Sequence, residues 1–165
     1  MKMNGLRLFL LALWLGAALF FSATVAPAVF SVLRSFQLAN ASEIAGTIVT
    51  RTLSVVNLSG FAISLFLLVT AFLFKRRGAS GAAFYAETML LVLVAIFTAA
   101  SQWWISPKML ALRAAMPAPI DQVAHTDPRH IAFDSLHHYA VALLGLAMLA
   151  SLIASILIAR RRPNV

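Results

Sequence analysis

The chain contains no cysteine. That excludes disulfides, thiolate metal ligands, a cysteine nucleophile and cysteine-anchored lipids. Charge is scarce as well: 11% of the 165 residues are Asp, Glu, Lys or Arg, and only 5 are acidic. A soluble domain carries roughly a quarter of its residues as charges, so no separate water-soluble domain fits within this length. Paired carboxylates, a Gly-rich phosphate loop, a nucleophile elbow and Ser-His-Asp spacing are all missing from the sequence. Hydrolase and nucleotide chemistry therefore have no support, and the expectation is a non-enzymatic protein. Nor is there an inverted repeat long enough for a transporter built within one chain.

What is present is apolar: 62% of the residues are hydrophobic and the mean hydropathy is +0.92. The formal charge of +8 would suggest nucleic acid in a soluble protein. Here the basic residues stand at the ends of apolar runs, where they set topology and meet lipid headgroups. The expected partners are the lipid bilayer and either a second copy of the chain or another membrane subunit, with no nucleic acid.

Four runs are long enough to span a hydrocarbon core, which takes about 20 residues. The expected fold is an all-α membrane protein, a four-helix antiparallel transmembrane bundle, with a short interfacial helix between helices 3 and 4. A single membrane domain covers 1–165, with helices over about 6–33, 41–74, 82–104 and 128–160, and the interfacial helix over about 107–116. The first run begins like a signal peptide, with Lys2, Arg7 and an Ala26-Pro27-Ala28 stretch. It continues apolar through Val29, Phe30, Val32 and Leu33, so it reads as a retained helix that Pro27 kinks. Asn40 with Glu43 predicts a capping box for the second helix, and Ser106-Pro107 and Asp127-Pro128 read as cap and N1 pairs. Small residues at Ala18, Ser22 and Ala26, at Gly60 and Ser64, and at Ala147, Ser151, Ser155 and Ala159 offer close-packing stripes. More stripes than one bundle need use internally point toward self-association.

Orientation follows from the cations. Lys2, Arg7, Lys75, Arg76, Arg77, Arg160, Arg161 and Arg162 gather on one side. Arg34, Arg51, Lys108, Arg113 and Arg129 lie on the other, offset by Glu43, Asp121, Asp127 and Asp134. The positive-inside bias puts both termini in the cytoplasm. The Ala, Leu and Arg content with short loops suggests a bacterial inner membrane.

The stretch Phe133–Tyr139 puts a carboxylate and two imidazoles at the mouth of the last apolar run. Titratable groups at that depth are costly and mark a functional hypothesis by default. The candidate polar site at the outer helix ends comprises His137, Asp134, Arg51, Asn57, Arg34, Arg113, Lys108 and Gln102. Asp134, His137 and His138 stand at i, i+3 and i+4, compatible with a carboxylate orienting an imidazole or with ligands to one metal. His125, His130, Met109 and Met116 would complete a metal set only if the long connector folds over the helix mouth. No cofactor is required. Beside the structural reading, in which this polar group joins helices, two others stand: a transition-metal or haem centre on His137, and proton-coupled permeation.

The chain also resembles the transmembrane protein 205-like family across most of its length. The resemblance rests on Trp14-Leu15-Gly16, Ala26-Pro27-Ala28-Val29-Phe30, Ala45-Gly46-Thr47-Ile48-Val49, Ser106-Pro107-Lys108-Met109, Leu112-Arg113, and Phe133-x-x-Leu136-His137. Ala140 stands where members of that family carry a small hydroxyl residue. The resemblance implies a four-helix membrane protein without an assigned reaction; the family's eukaryotic namesake is associated with tolerance of a toxic metal drug. A fainter similarity points to copper-resistance and haem-pathway membrane bundles.

Overall fold

The computed structural model describes residues 3–73 and 81–160. The basic cluster Lys75–Arg77, Lys2, Arg161 and Arg162 lie outside the described residues. Six α-helices form four spans, and there is no strand among the described residues. The first span consists of α1 (Met3–Phe20) and α2 (Ala26–Ser35), the second of α3 (Ala41–Leu73). The third consists of α4 (Ala82–Ala100) and α5 (Ser106–Ala114), the fourth of α6 (Pro128–Arg160). All four are long and apolar enough to cross a membrane.

The two composite spans are built alike. A π-type turn, Phe21–Val25, joins α1 to α2, with the Ala26 N–H donating to the Phe21 carbonyl five residues back. A second, Ser101–Ile105, joins α4 to α5, with the Ser106 N–H donating to the Ser101 carbonyl. Each turn is followed at once by a proline in the first turn of the next helix, Pro27 and Pro107. Proline lacks an N–H and its ring collides with the carbonyl four residues back, so it disturbs a helix at that point. The wider turn lets both spans stay helical through the disturbance. The short helix expected after the third run is α5, and it follows α4 without a loop. Ser106 is consequently no cap: the residue before it is already helical and no side-chain cap bond forms.

The start of α3 is capped by a partner distant in sequence, and that of α6 by a local one. The Ser42 amide in the first turn of α3 donates to Asp121 Oδ2 at 3.0 Å, so the carboxylate comes from the long connector. Asp127 caps α6 as expected, accepting from the Arg129 amide at 2.8 Å. The Arg129 guanidinium also grips Asp127 and donates to the Ala115 carbonyl at 2.7 Å, tying the end of α5 to the start of α6.

The core has two layers. Leu11, Leu67, Leu91, Ala154 and Ile158 fill the half nearer residues 3 and 160. Trp14, Ala18, Phe21, Val56, Val94 and Ala147 fill the middle. Trp14 donates its indole N–H to the Val56 carbonyl at 2.9 Å and lies flat against Gly60, where a Cβ would come within 2.7 Å of the ring. Of the small-residue stripes, Ala18, Gly60, Ser64, Ala147, Ser151 and Ser155 are buried inside the bundle, Ser22 and Ala26 are half-buried, and Ala159 is exposed. The buried members pack closely within one chain.

A buried ion pair links α1 to α4. Arg7 Nη1 lies 2.7 Å from Glu87 Oε1, and Arg7 Nη2 donates to the Leu67 carbonyl of α3 at 3.2 Å. Glu87 is buried near the start of α4. Its partner in the first span stands 80 positions away, a distance at which no local spacing rule operates.

Candidate functional site

α1 packs along α6, whereas α2 packs on α3 and makes no comparable contact with α6. The first span therefore leans away from α6 beyond its π-turn. The gap so created is a groove of about 550 Å³, open on one side. Its walls are Phe21, Ala26, Pro27 and Phe30 of the first span and Phe133, Ala140, Leu144 and Met148 of α6. Val49 and Leu53 of α3 form the back, and Met109 and Leu110 of α5 the roof. Ser22, Thr50, Ser106, Arg113 and His137 are the polar side chains in this lining.

Arg113 is the only charged residue in the lining. Its guanidinium rests against the Cα of Gly46, where any side chain would displace it. Nη1 lies 3.4 Å from the Thr47 hydroxyl, and the group stacks 5.3 Å from the Phe133 ring centroid. Glu43 and Asp121 act on it electrostatically, but neither carboxylate lines the groove. Its buried Nε has no hydrogen-bond partner. A guanidinium so placed offers directed donors to an anion. His137 stands on the α6 stripe with Phe133, Ala140 and Leu144, the helical repeat that faces the groove.

Of the candidate polar residues, the structure brings Arg113 and His137 to this groove and sends the rest elsewhere. Asn57 is buried near the middle of α3, donating to Ser101 Oγ at 3.0 Å, with its Oδ1 unpartnered. Gln102 is half-buried in the second π-turn. Arg34 is exposed above the Phe30 ring, Lys108 is exposed above Trp104, and Arg51 is exposed. His138 is exposed, its ring 6.3 Å from that of His137. Asp134 also has a histidine one turn earlier: its Oδ2 lies 3.7 Å from His130 Nε2. Among the described residues, the group of three side chains able to hold a metal is His125, His130 and Asp134, with ligand atoms within 4.8 Å of one another.

The connector carrying His125 is anchored from both ends. Arg129 beside Asp127 donates to its carboxylate and holds it well below the usual range, at about 2. That pair stays ionised through the physiological range, so the cap of α6 and its strap to α5 persist together.

Apart from Arg113 and His137, the groove-lining residues Phe21, Ser22, Thr50 and Met148 are not among the candidate positions from the sequence. The signal that points to them is the pair of prolines inside apolar runs, combined with the repeat Phe133, His137, Ala140, Leu144. The family described as a domain of unknown function, DUF4149, matches residues 9–118 of the chain. No curated protein and no solved structure matches it.

Proposed function

We propose a function from one premise: the chain belongs to the DUF4149 family and is an integral membrane protein. It is a non-enzymatic bundle that holds an amphipathic anion, a lipid with an acidic headgroup, with its acyl chain in the groove and its headgroup on Arg113. The observation that carries this reading is the guanidinium of Arg113 standing as the one charge in an apolar, side-open cavity. Apolar walls suit an acyl chain, and a cation without a carboxylate at hydrogen-bonding distance suits an acidic headgroup. His137, Ser106 and Thr50 supply further polar contacts in the same lining.

Permeation gains less support. Below the groove the bundle is closed by two layers of apolar side chains, with Leu11, Leu67 and Leu91 almost fully buried. Most of the motifs behind the resemblance to the transmembrane protein 205-like family, from Trp14 to Arg113, fall within the residues that DUF4149 matches. The Phe133 and His137 motif lies beyond them. Charge asymmetry supports both termini in the cytoplasm, with the groove toward the outer face, and the Ala, Leu and Arg content with short loops supports a bacterial inner membrane. A subunit role in a larger membrane assembly fits the same bundle, and the groove is then the place where lipid meets that assembly.

Native mass spectrometry of the purified protein against phosphatidylglycerol and phosphatidylcholine tests the reading. The expected result is preferential retention of the anionic lipid, reduced about tenfold in Arg113→Met, which removes one charge-assisted contact. Equal retention of both lipids, or an unchanged preference in Arg113→Met, overturns it.

A further inference from the structure

The connector and the start of α6 hold a second group of chemistry-bearing side chains, outside the groove. His130 is buried, in the first turn of α6. Its Nδ1 lies 3.2 Å from the Val123 carbonyl. A carbonyl oxygen only accepts, so Nδ1 carries the hydrogen of that bond and Nε2 is the nitrogen left to act as a ligand. Nε2 faces Asp134 Oδ2 at 3.7 Å, too far for a hydrogen bond. Two atoms with lone pairs thus point at one another across a gap. The His125 ring completes the group, its centroid 4.5 Å from that of His130.

We infer that His125, His130 and Asp134 form a binding site for a zinc-class divalent cation. Zinc binds imidazole nitrogen and carboxylate oxygen at about 2.0–2.2 Å, which puts two ligand atoms of one tetrahedral ion about 3.3–3.6 Å apart. The His130–Asp134 gap is close to that span. The exposed His125 side chain needs only to swing inward, because its ligand atom is already within 4.8 Å of the other two. The hydrogen bond from His130 to Val123 is the outer-shell contact that fixes the ring and tautomer of a metal-bound histidine. Arg129, the nearest cation in sequence, is held on Asp127 and the Ala115 carbonyl. Three protein ligands leave a fourth position open, so the site is of the exchangeable kind. An ion there clasps the connector to α6.

The experiment uses the full chain in mild detergent, purified with a histidine-free tag and stripped of metal, then titrated with Zn²⁺ by equilibrium dialysis with metal analysis. One ion per chain is expected, with Zn²⁺ raising the thermal midpoint. His125→Ala and Asp134→Asn, both at exposed positions, should weaken binding at least about tenfold and abolish the thermal gain. His137→Ala and His138→Ala should leave both unchanged. Binding that survives in His125→Ala and Asp134→Asn overturns the assignment, as does equal loss in His138→Ala. Absence of stoichiometric binding also overturns it and leaves His130 and Asp134 as neighbours on one helix face. The groove plays no part in this titration, so lipid retention and zinc uptake fail or succeed separately.

Discussion

Arg7 and Glu87 show how a single pair can matter in a chain with so few charges. Both side chains are nearly excluded from solvent, and the pair joins the first and third spans while Arg7 also reaches the α3 backbone. Removing one partner leaves a charge in a low-dielectric interior, at a cost of about 3–5 kcal/mol. Replacing both by apolar groups removes that penalty. Chemical unfolding in detergent should therefore show large losses for Arg7→Met and Glu87→Leu singly, and for the double variant a loss well below their sum. Strictly additive losses would mean the two charges do not depend on each other. The same scale explains what the sequence left open around Asp134. A carboxylate on a helix has neighbours at i−4 and at i+3 and i+4, and this one has a histidine at each position: His130, His137 and His138. Spacing cannot choose between them. The choice is made by tertiary contact, because the Val123 carbonyl orients the His130 ring while His137 turns with its stripe toward the groove.

At the scale of elements, the two π-type turns shape the groove. The apolar runs, the capping role of Asp127 and the existence of a short helix after the third run are all legible in composition and local spacing. The turns are not. An extra residue in a helical turn changes which atoms bond without changing hydropathy, and the proline that follows reads equally well as a kink or as a helix start. Ser106-Pro107 shows the ambiguity, since a cap-and-N1 pair and a proline following a π-turn have the same local sequence. Pro27→Ala restores an amide and removes the ring clash at the point where the first span leans away from α6. The expected outcome is a stability equal to or above that of the parent, since the substitution restores an amide donor and lifts the ring constraint. The groove should narrow at the same time, and anionic-lipid retention should fall several-fold. Retention equal to the parent's would show that the proline does not set the groove's width.

At the scale of the whole molecule, the bundle is asymmetric from end to end. One half is closed by apolar layers and an ion pair; the other opens into the groove, lined on one side by Met109, Leu110 and Arg113 of α5. Membrane orientation decides which compartment each half meets. The absence of cysteine makes this simple to measure, because any introduced thiol is the only one in the chain. In intact cells, a membrane-impermeant thiol reagent should label Gln122→Cys and spare Gly81→Cys. Labelling at 81 without labelling at 122 reverses the orientation.

The lean of α2 away from α6 also determines by what route the groove fills. Val141, one of the residues in its lining, is largely exposed on α6, and on the reading of an acidic lipid as occupant the groove fills from the bilayer. An occupant entering there diffuses in the plane of the bilayer and need not cross water. Occupancy then follows the mole fraction of the occupant among neighbouring lipids and is indifferent to its concentration in the aqueous phase. Two membranes of different acidic-lipid content, bathed in the same buffer, would hold this protein in different states of loading.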